Sequence, residues 1–469
     1  TSLIVAGYVA ALGLGALLVK PFLNWPAQTF LGVETLLGLI GGCSALVLYF
    51  TFATIGQSLW ILVIATAAIG ILVGAELPLL MTMIQQGRLA DAKTTGSLVA
   101  TLNAADYLGA LLGGLAWPFV LLPWLGMMRG AAAAGMINLV AALFVGCVLL
   151  RHLLPRTHFF VSVVALLLAI AALATVLVKS DGIVATARAQ LYRDPVIYSH
   201  QSDYQDIVVT ERGKDRRLYL NGGLQYSTRD QHRYTESLVY PSLNPEAESV
   251  LIIGGGDGLA ARELLRFPSM QITQLELDPE VIEVANTVLR SDNGGAMEDP
   301  RVSIIVDDAF TWLRSGGNNG ETYDSIIIDL PDPNNDTMAR LYSEEFYTLA
   351  RARLNEQGRM VVQSSSAYTT PDVFWRVGAT LKSAGCEQVI PYHVHVPTFG
   401  DWGFQLCGPA DMELELREDT PPLTFLNDEV LVAAGVFGLD NQPRELEPST
   451  LDHPRVVEDL RKGYRESGD

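Results

Sequence analysis

The chain has 469 residues, 32 basic and 51 acidic, for a formal net charge of −19. Residues 1–180 hold only seven cations and four acids, a balance of +3, and residues 181–469 hold the other 25 and 47, a balance of −22. A nearly neutral apolar half joined to a strongly acidic half excludes a nucleic-acid-binding surface and favours cationic ligands, although acidity also serves simply to keep a domain soluble.

The first elements are apolar runs. A hydrocarbon core of about 30 Å needs roughly 20 apolar residues per helix. Six segments meet that length, at Ser2–Val19, Thr29–Phe52, Ser58–Met81, Ser97–Leu122, Gly130–Leu150 and Phe159–Val178. They predict a multi-pass helical membrane domain over 1–180. The first run lacks a basic leader and further spans follow it, so it reads as a span rather than a signal peptide, with room for a further span before it. Gly109, Ala110, Gly113 and Gly114 suit close helix packing, and Trp60, Trp117 and Trp124 suit the interfaces. Glu34, Glu76 and Asp106 are carboxylates inside spans, in either a structural or a ligand-handling role. Lys20, Arg88, Lys93, Arg151 and Arg156 face Arg129, Lys179, Arg188 and Arg193 across the spans, a balance that leaves orientation open.

Residues 181–195 read as a linker. Over 196–248 the runs SDYQDIVVTER and RRLYLNGGLQYS alternate apolar and polar residues between Gly-rich turns, which predicts a small antiparallel sheet. From 249 to 410 strands and helices alternate, predicting a parallel sheet with flanking helices, and 411–469 is left as a C-terminal extension. The strand SVLIIGGGDG leads into the helix LAARELLRF. Gly254, Gly255, Gly256 and Gly258 let backbone and helix N-terminus approach a nucleoside closely. Leu259 stands where a dinucleotide motif would have its third glycine, and Asp257 would repel a pyrophosphate; a sulfonium or an ammonium suits it instead. Later strands end at Glu276, at Asp307 and Asp308, and at Asp329 with Asp332 close behind. Ligands in open α/β sheets bind at these ends, so the acids converge on one crevice, though any single one also suits a helix cap. Cys43, Cys147, Cys386 and Cys407 form no C-x-x-C pair, so neither a disulfide framework nor a zinc finger is expected, nor an oxidising compartment. His393 and His395 lie on one strand face without an evident third ligand, so no metal is expected.

From about Ser202 to Gly408 the chain resembles the spermidine synthase family, of the multi-spanning bacterial type. The stretches that carry the resemblance are SDYQDIVV, LYLNGGLQYSTRDQHRYTE, VLIIGGGDG, LELDPEVIEVA, EDPRVSIIVDDAFTWL, YDSIIIDLPDP, YSEEFY, GRMVVQSSS and VPTFGDWGF. The resemblance implies a Rossmann-like, class I methyltransferase-like α/β domain preceded by the small sheet. It implies aminopropyl transfer from decarboxylated S-adenosylmethionine, as co-substrate without further cofactor, to an amine, putrescine by default. By position it implies that Gln205, Asp257, Glu276, Asp308 and Ala309 hold the donor. Asp329 would accept the proton, and Gln225, Tyr234, Thr235, Asp332 and Gln363 would line the acceptor side.

The departures fall mainly on the acceptor side. Asn221 replaces the family's aspartate in Leu-Asp-Gly, and Thr235 its histidine in Tyr-His-Glu. Ser365 replaces the acid of Gln-x-Glu-Ser, Phe399 the tyrosine of Pro-Thr-Tyr-Pro, and Asp336 a proline. The competing readings are an S-adenosylmethionine-dependent methyltransferase and a non-catalytic polyamine sensor or transporter. The expected partners are polyamine and nucleoside-sulfonium substrates and the lipid bilayer, without nucleic acid; a homodimer fits the same reading. The expected location is the cell membrane, with the catalytic domain in the cytoplasm.

Overall fold

A long apolar run satisfies its backbone within a helix, and the first of two compact units, Thr1–Arg193, is built in that way. The computed structural model describes residues 2–55, 59–86, 92–192, 194–318 and 320–467. Its helices are α1 (Ser2–Leu18), α2 (Pro26–Ile55), α3 (Leu59–Gln86), α4 (Ala92–Ala116), α5 (Leu122–Val145) and α6 (Arg156–Leu191). The loop cations Arg88 and Arg193 lie outside the described residues. Among the described residues five apolar helical stretches are long enough to cross a bilayer, and two of the six expected segments fall within one of them, Ala100–Leu150. A π-helical turn at Trp117–Leu121 joins α4 to α5, and the break falls at Gly126, with φ 70°. At 1.5 Å per residue that stretch exceeds twice the thickness of a hydrocarbon core. Helix α6 also runs on to Leu191, across most of the segment read as a linker.

The small residues that bring helices together are not those picked out from sequence. A Cβ on Gly109, Gly113 or Gly114 would meet nothing within 4 Å. A Cβ on Gly15 would lie 2.0 Å from the Ile71 carbonyl oxygen, and one on Gly74 2.0 Å from that of Leu12, so α1 and α3 touch backbone to backbone. Gly135 makes the same approach to Gly38 between α5 and α2. Of the three acids, Glu34 is buried, Glu76 half-buried and Asp106 exposed.

The second unit, Asp194–Asp469, holds two sheets. The first is antiparallel, in the order β1 (Val196–Gln201), β2 (Asp206–Arg212), β3 (Asp215–Leu220), β4 (Gly223–Ser227). It is N-terminal only to the second unit; in the chain it follows the six helices. The β3–β4 turn explains Asn221: its φ is 49°, a left-handed position that asparagine tolerates, and its Oδ1 accepts from the Asp206 N–H.

The second sheet has seven strands: β5 (Ser249–Gly254), β6 (Gln271–Glu276), β7 (Val302–Val306), β8 (Tyr323–Asp329), β9 (Leu354–Ser366), β10 (Gln388–Val396) and β11 (Gly400–Gly408). Their order is β10-β11-β9-β8-β5-β6-β7. The sheet is mixed rather than parallel throughout, since β11 runs antiparallel to both β9 and β10. Its five parallel strands form a Rossmann-like core. Valine, leucine and isoleucine of β5 and β8 are fully buried, as strands covered on both faces require. The chain runs from β5 outward to β6 and β7 and then crosses back to β8 on the other side of β5, so a crevice opens at the carboxyl ends of these strands.

Cys386 and Cys407 form a disulfide, against the expectation from spacing. The β10–β11 hairpin decides it: Cys407 pairs with Val389, which brings Cys386, just before β10, within 5.6 Å Cα to Cα.

Candidate active site

The crevice is a cavity of about 710 Å³ within the second unit. Its acids are Asp257, Glu276, Asp307, Asp308, Asp329 and Asp332, and no lysine, arginine or histidine is among its lining residues. Each acid is delivered by a strand end. Buried apolar residues fix the backbones of β5, β6 and β8, and the acids stand at, or within three residues of, the ends of β5, β6, β7 and β8.

The glycine loop presses against two of those ends. Gly254, with φ 81°, packs so closely on β8 that a Cβ would lie 2.1 Å from the Asp329 carbonyl oxygen. A Cβ on Gly256 would lie 2.5 Å from Glu276 Oε2. The Gly255 N–H donates to the Asp329 carbonyl at 2.9 Å, and Asp257 Oδ1 accepts from the Leu259 N–H at 2.9 Å. Glu276 Oε1 accepts from the Asp278 N–H at 3.0 Å. Gly258 does not line the cavity; it starts the following helix at φ 83°, against Met297.

Tyr234, on helix Gln231–Val239, donates its phenolic proton to Asp329 Oδ1 at 2.5 Å. Asp332 Oδ2 accepts from Ser365 Oγ at 3.3 Å and from the Tyr464 hydroxyl at 3.1 Å, while its Oδ1 is buried with no hydrogen-bond partner. Gln363 Nε2 donates to the Leu330 carbonyl and to the Tyr342 hydroxyl. Ser365 holds a left-handed φ of 62°, and its hydroxyl also contacts Thr370 Oγ1 at 2.8 Å. Gln205 Nε2 donates to Asp278 Oδ2 at 3.0 Å, and Gln225 Nε2 to the Gly223 carbonyl. Thr235 is buried and reaches Gln231 Oε1. Asp308 caps helix Ala309–Arg314 through the Thr311 N–H and also pairs with Arg340, so the cap reading holds for it alongside its place in the cavity.

The cavity thus brings together Gln205, Gln225, Tyr234, Thr235, Asp257, Glu276, Asp308, Ala309, Asp329, Asp332 and Gln363. It does not include His393 or His395. His393 is held between Asp401 Oδ1, at 2.6 Å, and the Val436 carbonyl, and the His395 carbonyl accepts from Arg233. Leu460 and Tyr464 also line it, from a C-terminal helix to which the strand-end pattern does not point.

A model of the Spermine/spermidine synthase domain matches residues 231–415. A polyamine aminopropyltransferase of Corynebacterium efficiens is 83% identical over 469 residues, covering all of this chain and 90% of that one. The chain belongs to the polyamine aminopropyltransferase family. A second member, from Mycobacterium tuberculosis, is 55% identical over 470 residues, covering 99% of this chain and 90% of that one. A crystal structure of spermidine synthase in complex with the transition-state analogue AdoDATO matches with a TM-score of 0.47 and 28% identity, over 52% of this chain and 85% of that one. The protein is an enzyme, a polyamine aminopropyltransferase.

The electrostatics of this aminopropyltransferase follow from burying acids together. Burial, with the Asp329 charge nearby, pushes the Asp257 carboxyl up to about 7. Burial takes Glu276 to about 7 as well, against backbone N–H groups that favour its charge. Asp329 rises to about 6 through burial, opposed by the Tyr234 hydrogen bond, and burial raises Asp332. The Tyr234 phenol is pushed far above its ordinary value by burial and by Asp329, so it remains a donor. A cation entering the cavity relieves all of these acids at once.

Proposed function

We propose that the cavity binds decarboxylated S-adenosylmethionine and a linear aliphatic diamine, putrescine by default, side by side, and that Asp329 takes the proton released on transfer. The observation that carries this is the lining: acids from four strand ends and no cationic side chain. Glu276, at the end of β6, binds the ribose hydroxyls, and Gln205 holds the methylthioadenosine part. Asp308 and Ala309 meet the adenine. Asp257 holds the aminopropyl ammonium. A donor that kept its carboxylate would set it against Asp257, which disfavours methyl transfer.

On the acceptor side, Asp332 anchors one ammonium, and Gln225, Thr235 and Gln363 shape the surrounding wall. The attacking amine must first lose a proton. Asp329, ionised at neutral pH and steadied by Tyr234, accepts it. The amine nitrogen then forms a bond to the aminopropyl CH₂ as the C–S bond breaks. The bonding pair leaves with sulfur, and the sulfonium becomes the neutral thioether methylthioadenosine. Holding both reactants in line removes much of the entropic barrier.

Asp329→Asn keeps the shape and removes the base. Single-turnover rates should fall by at least about a hundredfold, while methylthioadenosine binding, measured by calorimetry, stays intact. Near-wild-type turnover in this variant would remove Asp329 from the mechanism. The bilayer anchorage of the first unit and a cytoplasmic position of the second belong to the same proposal.

A further inference from the structure

The acceptor end of the cavity is walled by the C-terminal helix Arg455–Ser467. Val456, Val457 and Leu460 are buried in the core of the second unit. Arg376 pairs with Asp459, and Lys462 Nζ reaches Asp372 Oδ2 at 2.9 Å. Gly463 passes close to the loop after β9. A Cβ there would lie 2.8 Å from Thr370 Cγ2 and 2.9 Å from the Thr369 carbonyl oxygen. That approach sets where Tyr464 falls: its hydroxyl donates to Asp332 Oδ2 at 3.1 Å, and its side chain lines the cavity.

Docking alone does not require this tyrosine. The helix is anchored by three buried apolar side chains and two ion pairs, and Tyr464 itself remains 38% exposed. Its hydroxyl meets Asp332 through Oδ2, while Oδ1 is buried away from the cavity. The turn between β10 and β11, meanwhile, brings Phe399, without a hydroxyl, to the cavity, and β9 brings Ser365, without a charge, to Asp332.

We infer that Tyr464 is a positioning and specificity-determining residue for the amine acceptor. Its phenol holds the Asp332 carboxylate through Oδ2 and so fixes where that carboxylate stands beside the substrate ammonium, and its ring limits the length of amine that fits. The inference rests on the aminopropyl-transfer reading above. The substrate class it implies is a short linear diamine.

The test is steady-state kinetics of the full chain at saturating donor, with 1,3-diaminopropane, putrescine, cadaverine and spermidine as acceptors. Tyr464→Phe should raise KM for the preferred diamine about tenfold and leave kcat and the donor KM within about twofold. Tyr464→Ala should also narrow the preference for diamines over spermidine. Gly463→Ala, which keeps the phenol but displaces the helix, should raise the same amine KM while methylthioadenosine binding is unchanged. A wild-type amine KM in Tyr464→Phe, or an equal rise in donor and amine KM, would overturn the inference while leaving aminopropyl transfer standing. A wild-type chain that aminopropylates none of these amines would overturn the transfer reading, and this inference with it.

Discussion

Asp257 carries the conflict between binding and stability most visibly. Its carboxyl titrates at about 7 in the folded chain, against an ordinary value of 3.8. A folded value above the unfolded one means that the folded state holds the proton more tightly. Its contribution to stability is therefore full below about 4 and is lost as pH rises through about 7. Glu276 adds to the same trend. Asp257→Asn keeps the acceptor for the Leu259 N–H and removes the charge. It should raise the melting temperature of the ligand-free enzyme at pH 8 by about 2–5 °C and do little near pH 4. Thermal unfolding at the two pH values checks this, and an equal difference at both would contradict it. For the same reason, kcat/KM for the cationic donor should fall as pH drops below about 7, when Asp257 becomes neutral. A donor kcat/KM that stays flat from pH 8 to pH 5.5 would contradict a charge-based role for Asp257.

At the scale of elements, the glycine loop does more than allow a turn. Gly256 leaves the space in which the Glu276 carboxylate sits, so Gly256→Ala forces that carboxylate to move. The donor KM should rise at least about tenfold with the amine KM nearly unchanged, which donor and amine titrations will separate. A rise confined to the amine would show that the loop serves the acceptor instead. This part of the site was legible in the sequence because it is local. A buried strand followed at once by an acid puts that acid at the carboxyl edge of the sheet, and parallel strands put all such acids on the same edge. The parts not legible depend on distant pairings. The Cys386–Cys407 bridge follows from the register of β10 on β11, which spacing in the chain does not reveal. Tyr464 lies 132 residues from Asp332, on a helix whose sequence pattern marks only a surface amphipath. Gly15 and Gly74 look no different from Gly109 in a run of apolar residues, because what counts is the helix face that meets a neighbour.

For the whole molecule, the balance of charge changes at about residue 180, and the chain divides into two compact units, Thr1–Arg193 and Asp194–Asp469. Loop charges left the orientation open, and the disulfide is of a kind that reducing compartments rarely hold. Topology is therefore a measurement of consequence. With the free Cys43 and Cys147 replaced by serine, a cysteine introduced at the exposed Glu356 should react with an impermeant maleimide only after cells are lysed. Labelling of intact cells would place the catalytic unit outside. The identity of the transferred group decides the reaction. Purified full-length protein, given decarboxylated S-adenosylmethionine and putrescine, should yield methylthioadenosine and an amine heavier by one aminopropyl group, in equal amounts by mass spectrometry. With S-adenosylmethionine in its place, no methylated amine should form. A methylated amine from S-adenosylmethionine, or donor binding with no transfer to any amine, would contradict the account.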